Sequence, residues 1–155
     1  EFSGTGRRFE VLGEAAGIVV VDDYAHHPTE VRATLSAARA RYPGRRIWAV
    51  WQPHTYSRTV TLLDDFIAAL QLADRVIITE VYAAREQSQG FSSAVIVEAM
   101  THPSAYFAPT LPSATQYLLE QLQPGDVLLV LSAGDADQIS ASVYAELKSQ
   151  EASHA

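Results

Sequence analysis

Short runs that are apolar from end to end, such as GIVVV, RIWAVW, RVIIT and DVLLVL, alternate along this chain with longer stretches of helical period. A strand with one wet face alternates apolar and polar residues. A strand buried on both faces reads as a continuous apolar run. Strands of the second kind, each followed by a helix, imply a mostly parallel sheet covered on both sides, because a parallel partner needs a crossover connection.

Taken in order, GIVVVDDYA carries a buried strand over residues 17–23, and PTEVRATLSAARARY is a helix. Pro28 stands in its first turn, where no N–H is needed, and Val31, Leu35 and Ala38 recur at helical spacing. RRIWAVWQP is a second strand, stopped by Pro53. TVTLLDDFIAALQLA reads as one helix whose apolar face is Leu62, Leu63, Phe66 and Leu70. DRVIITEVY is a third strand, residues 92–100 a short helix and AYFAPT a short strand. SATQYLLEQLQ is a helix with Ser113 as its expected N-cap. DVLLVLSAG is the last strand. DADQISASVYAELKSQ is the closing helix, opened by Asp135 or Asp137, and the tail EASHA is expected to fray. The opening segment stands outside this rhythm. It is expected to add a short edge strand at residues 9–12, for which an antiparallel setting is open. The fold expected is α/β and Rossmann-like: a mostly parallel sheet of about six strands with helices on both faces, in a single domain over residues 1–155.

Composition excludes several classes of function. No run of 18 apolar residues exists, so no membrane span is expected, and the first residues lack a secretory pattern. No cysteine is present, which removes thiol nucleophiles and thiolate metal sites and fits a cytoplasmic protein. The net charge of −7 argues against a nucleic-acid partner. The cations are ten arginines and one lysine, Lys148, and arginine is the better fork for carboxylate and phosphate.

Ligands of open α/β sheets bind beyond the carboxyl ends of the strands. The strands here end in DDYAHHP, QPHTYSRT, EVYAAREQ and SAGD, polar clusters distant in sequence that the fold makes neighbours. His26 and His54 are expected to meet a ligand. His27 is open to capping the following helix instead. A metal is conceivable from these imidazoles with Asp22, Asp23 or Glu30, but the spacing matches no standard zinc pattern, and adjacent residues point apart. Arg58 can grip a carboxylate through two parallel hydrogen bonds, or pair with Glu80 or Asp23. Ser57 or Thr59 could cap the helix beside it. Arg7 and Arg8, next to glycines in FSGTGRRFE, could touch a nucleotide, although the string is no dinucleotide fingerprint and the chain holds no phosphate loop.

These strings, in this order, resemble the C-terminal domain of the Mur ligases, nearest to the members that add L-alanine. FSGTGRRFE, DDYAHHPTE, WQPHTYSRT, EVYAARE and GDVLLVLSAGD each match a family motif, and the likeness covers nearly the whole chain. Two positions depart: Thr55 stands where many relatives carry arginine, and Ser132 where glycine is usual. The resemblance implies a three-domain, cytoplasmic enzyme of bacterial cell-wall precursor synthesis. The first domain takes UDP-N-acetylmuramate, the second ATP, and the third closes over both. ATP, with Mg2+, phosphorylates the sugar's carboxylate, and the amine of L-alanine displaces phosphate. This chain is expected to be the third domain alone, beginning within a motif and lacking the other two, and to be inactive by itself. Carried over by position, Arg58 becomes the clamp on the alanine carboxylate, supported by His54. Tyr24 and His26 line the alanine pocket, with His26 the catalytic candidate. Arg7, Arg8, Asp23 and His27 fall to ATP, or, for the last two, to orienting the pocket. No metal ligand is assigned. Three rivals stand beside this reading: a recycling ligase that adds a whole tripeptide to the same sugar, a binding module without catalysis, and a histidine-bound metal hydrolase.

Overall fold

A computed structural model describes residues 8–88 and 90–153. Its elements run β1 (Glu10–Ala15), β2 (Ile18–Asp23), α1 (Pro28–Arg41), β3 (Ile47–Trp51), α2 (Tyr56–Thr61), α3 (Leu63–Leu70), β4 (Arg75–Thr79), α4 (Ala94–Ala99), β5 (Ala105–Ala108), α5 (Leu111–Gln121), β6 (Val127–Leu131) and α6 (Asp137–Ser153). The sheet order is β1-β2-β6-β3-β4-β5. Every neighbouring pair is parallel except β1 and β2. The expected fold class is therefore the observed one.

The apolar runs are continuous because successive residues serve opposite cores. Val19, Val21, Ala49, Trp51, Ile78 and Leu129 face Val31, Leu35 and Ala38 of α1 and Phe66 and Leu70 of α3. Their neighbours Ile18, Val20, Trp48, Val50, Ile77 and Leu128 face Leu118 of α5 and Ile139, Val143 and Leu147 of α6. Each large side chain withdrawn from water in this way contributes roughly 1.5–3 kcal/mol before chain entropy is counted.

Four local expectations are corrected. The edge strand covers residues 10–15, not 9–12, and returns to β2 through Ala16 (φ 53°) and Gly17 (φ 79°). That pair of positive φ values is the twist a tight hairpin needs. The single helix read over residues 59–73 is two helices. It begins three residues earlier, at Tyr56, and breaks at Leu62 (φ −109°, ψ 19°). The α5 N-cap is Thr110, whose hydroxyl accepts from Ser113 N while Ser113 Oγ accepts from Thr110 N. Ser113 is thus the inner half of a reciprocal cap, a role that either hydroxyl fits in sequence. The closing helix holds through Ser153, so residues 151–153 do not fray, while 154 and 155 lie outside the described residues.

At the amino ends of the strands, charges pair off. Arg46 donates two hydrogen bonds to Asp126 (3.0 and 2.8 Å), which also accepts from Trp48 Nε1 (2.9 Å) and Gln123 N (2.9 Å). Arg39 meets Asp74 at 2.9 Å, and Ile47 N donates to the same carboxylate. Arg45 donates to the carbonyls of Gly125 (2.7 Å) and Gly17 (3.0 Å). At the carboxyl ends the layout differs. β6 sits between β2 and β3, yet α6 leaves it on the face opposite α1 and α3. Departure to opposite faces opens a crevice above the strand ends. Among the described residues, no helix is long and apolar enough to cross a membrane.

Candidate active site

Four rings form a row across the carboxyl rim. Tyr24 meets His26 edge-on at 5.3 Å between centroids, His26 leans on His54 at 5.9 Å, and His54 stacks on Tyr82 at 5.5 Å and 16°. They come from the ends of β2, β3 and β4. The sheet is prolonged here by a small parallel bridge between His54 and Tyr82: Tyr82 N donates to Pro53 O (2.8 Å) and Thr55 N to Tyr82 O (2.9 Å). The clusters read in sequence as neighbours do converge.

His26 Nδ1 lies 3.0 Å from Tyr24 O. A carbonyl only accepts, so this contact needs the proton on Nδ1 and leaves Nε2 of the neutral ring as a free lone pair. The His26 backbone N–H donates to Glu30, whose carboxylate also lies 3.6 Å from Nδ1. His54 is half-buried, and its Nδ1 is buried without a hydrogen-bond partner among the described residues. Burial holds its pKa below the ordinary 6.5, helped by the Arg58 cation and by His26, with Glu86 opposing. His54 is thus a neutral imidazole near pH 7.

Arg58 stands in the first turn of α2, and its Nη1 is buried with no hydrogen-bond partner among the described residues. The pairings that sequence left open to it are not formed. Glu80 accepts from Ser92 Oγ (2.7 Å) and Ser93 N (2.9 Å). Asp23 accepts from Phe9 N (2.7 Å) and Ala25 N (2.8 Å). Glu86 folds over the start of α2, taking Tyr56 N, Ser57 N and Ser57 Oγ. The Ser57 hydroxyl, the adjoining amides and Arg58 hold its carboxyl below the usual range. The α2 cap is Thr55 rather than Ser57 or Thr59: its Oγ1 accepts from Arg58 N (3.4 Å), and its carbonyl accepts from Thr59 Oγ1 (2.7 Å). Thr55 does this at φ 65°, ψ 146°. That region is foreign to a β-branched residue and costs about 1–3 kcal/mol. The departure seen in sequence is therefore a strained helix cap between His54 and Arg58.

The other departure, Ser132, is also structural. Its hydroxyl donates to Gln52 Oε1 (2.6 Å) and accepts from Gly134 N (3.0 Å) and Ala136 N (3.3 Å), while Gln52 Nε2 donates to Asp135 (2.7 Å). Sequence reasoning missed Gln52 and this hub, as it missed Tyr82 in the ring row; the only signal was their place in two strand-end clusters.

The nucleotide candidates are more scattered. Arg7 lies outside the described residues. Arg8 is exposed beside Asp23. Burial raises the Asp23 carboxyl above its ordinary value, the amides of Phe9 and Ala25 oppose that, and both carboxylate oxygens are engaged. That is the geometry of a group that orients backbone. His27 is exposed. It occupies the α1 cap position, but only its carbonyl takes part, accepting from Val31 N; its side chain makes no cap bond. Among the described residues, no group of three or more His, Asp or Glu could hold a metal ion.

A desolvated guanidinium nitrogen beside the imidazoles of His54 and His26 suits a small ligand carrying a carboxylate and a group that must lose a proton. The fold and this rim thus define an α/β domain with a cluster of aromatic, imidazole and guanidinium groups at its strand ends. The chain belongs to the Mur ligase family: residues 7–134 match the Mur ligase, glutamate ligase domain. It is 47% identical over 151 residues to the UDP-N-acetylmuramate–L-alanine ligase of Alkaliphilus metalliredigens, covering 94% of this chain and 32% of that protein. The ligase of the same name from Chloroflexus aggregans is 47% identical over 152 residues, covering 95% and 32%. Among solved structures, the UDP-N-acetylmuramate-alanine ligase MurC of Thermotoga maritima superposes with a TM-score of 0.74 at 30% identity, over 93% of this chain and 30% of that one. A murein peptide ligase from Psychrobacter arcticus gives 0.74 at 26%, over 92% and 30%. The chain spans about a third of the length of these curated relatives. The family expected from the motifs is the family found.

Proposed function

We propose that this chain is the closing, amino-acid-binding domain of a three-domain ATP-dependent ligase that joins L-alanine to UDP-N-acetylmuramate in the bacterial cytoplasm. The observation that carries the reading is the buried Arg58 Nη1 with no partner, set beside His54 and the His26–Tyr24 pair. A buried guanidinium N–H left unpaired costs free energy, and a ligand carboxylate supplies what it lacks. The 47% identity to ligases named for L-alanine supports the choice of amino acid.

In this reading Arg58 holds the carboxylate of L-alanine and His54, neutral, supports the clamp. Tyr24 bounds the pocket. His26 Nε2 faces the amine and takes up a proton as the amine attacks the acyl phosphate made from the sugar's carboxylate; phosphate leaves. Fixing the far end of so small a substrate sets the direction of attack. Arg8, with Arg7, meets ATP. Asp23 and His27 act at that edge through the backbone they orient. ATP and the UDP-sugar are held chiefly by the remainder of the ligase. Mg2+ accompanies ATP, and no described residue of this chain is assigned to it.

Removing Arg58 tests the clamp. A charge-assisted fork is worth on the order of 2–3 kcal/mol, so Arg58→Ala in the full-length ligase is expected to raise the alanine KM roughly 30- to 150-fold. A change below about threefold removes Arg58 from the role. Assay against the tripeptide instead of L-alanine separates the recycling alternative.

A further inference from the structure

The ring row has one member that no motif reading used. Tyr82 is held at both its backbone groups by the segment that carries His54, through Tyr82 N to Pro53 O and Thr55 N to Tyr82 O. Its ring lies nearly parallel to the imidazole, 16° apart. Gly134 also lies against this ring. The backbone there has no positive φ that would call for glycine. Yet a Cβ added to Gly134 would lie 2.6 Å from Tyr82 Cγ, 2.7 Å from Tyr82 Cδ2 and 2.7 Å from Gln52 Oε1. Those ring atoms sit close to the backbone and cannot swing away cheaply. The glycine of SAGD thus has a steric cause in the third strand-end cluster. The Tyr82 ring thus touches both the Gly134 backbone and the His54 ring, where the ends of β6, β4 and β3 meet.

We propose that Tyr82 is a positioning residue for His54: its ring is a shim that fixes the plane and the dry setting of the imidazole, and the bare Cα of Gly134 exists to admit that ring. This rests on the amino-acid site proposed above, because Tyr82 acts through His54 on whatever the rim holds. The Tyr82 hydroxyl has no part in the argument; the flat face does. Removing the ring takes away the stacked cover over one face of the imidazole.

The test is proton NMR of the imidazoles in this chain, with His54→Gln to assign the signal. In the parent chain the carbon-bound protons of His54 are expected upfield, in the shielding region of the Tyr82 ring, with a titration midpoint below 6.5. Tyr82→Phe is expected to keep both signatures. Tyr82→Ala is expected to lose the upfield displacement and raise the midpoint toward the ordinary histidine value. Gly134→Ala should move both in the same direction, and it should lower thermal stability less when Tyr82 is already alanine, since the clash has gone. Unchanged His54 signals in a folded Tyr82→Ala chain overturn the proposal, as does a Gly134→Ala cost that ignores residue 82. A purely structural role for Tyr82 would move the melting temperature and leave the His54 midpoint alone. Adding L-alanine to the same samples examines the underlying reading separately. If alanine perturbs His54, Tyr82→Ala is expected to weaken that binding roughly 2- to 10-fold, the ratio that corresponds to an aromatic pair. If it never perturbs His54 in the parent chain, the alanine site fails, while the Tyr82 result stands on its own signals.

Discussion

The two rims of one sheet treat charge in opposite ways. At the amino ends Arg46, Asp126 and Trp48 close on one another, and the Asp126 carboxylate alone takes four hydrogen bonds. At the carboxyl ends the chain leaves Arg58 Nη1 and His54 Nδ1 buried and unpaired, and holds Thr55 at a backbone setting foreign to its side chain. Both rims cap the same strands in the same protein. The difference teaches that charge alone does not mark a site. A buried cation left without a partner is the stronger pointer, because an orphaned polar group costs stability that a ligand can return.

The largest break in this comparison comes from Asp126. Asp126→Ala strands the buried Trp48 N–H and the Arg46 fork together, and is expected to cost about 3 kcal/mol in urea unfolding. The converse holds for Arg58→Ala, which severs no hydrogen bond of the guanidinium among the described residues. It is expected to change unfolding stability by less than about 0.5 kcal/mol while the alanine KM climbs as stated above. An equal stability loss in both variants would erase the contrast. Arg39→Ala refines it, since both partners of that amino-rim pair are about 40% exposed. An exposed pair is worth about 0.2–1 kcal/mol, so thermal unfolding should shift only slightly. The smallest effect concerns pH. His54 binds its proton less readily folded than unfolded. Its contribution is therefore whole above about 6.5 and is lost as pH falls through the lower folded value. His54→Gln should flatten that part of the stability–pH curve, as read by urea midpoints at pH 5 and 7.

What could be read from the sequence was whatever has a local cause. GIVVVDD and DVLLVL announce strands buried on both faces because the run itself is the signal. Topology then brought DDYAHHP, QPHTYSRT and EVYAARE together with no further information. What stayed hidden depends on partners far along the chain. Arg46 and Asp126 are 80 residues apart, as are Gln52 and Ser132, and no spacing rule links either pair. The break at Leu62 was hidden for another reason: leucine is a good helix former, so nothing in the residue itself announces a backbone that leaves the helix at φ −109°. His27 misled because an imidazole before a helical proline looks like a cap, whereas its carbonyl alone does that work.

The split between α2 and α3 reaches beyond bookkeeping of helices. α3 is rooted in the core by Phe66, Ala69 and Leu70, whereas α2 buries only Thr59. The guanidinium therefore rides on a single loosely moored turn and a half, joined to firm ground at Leu62. Amide protons of residues 58–61 should exchange with deuterium well before those of 66–70, and a captured carboxylate should slow them selectively. On the proposed reading, the residue that holds the carboxylate sits on a segment with more order to gain than α3 when a ligand arrives.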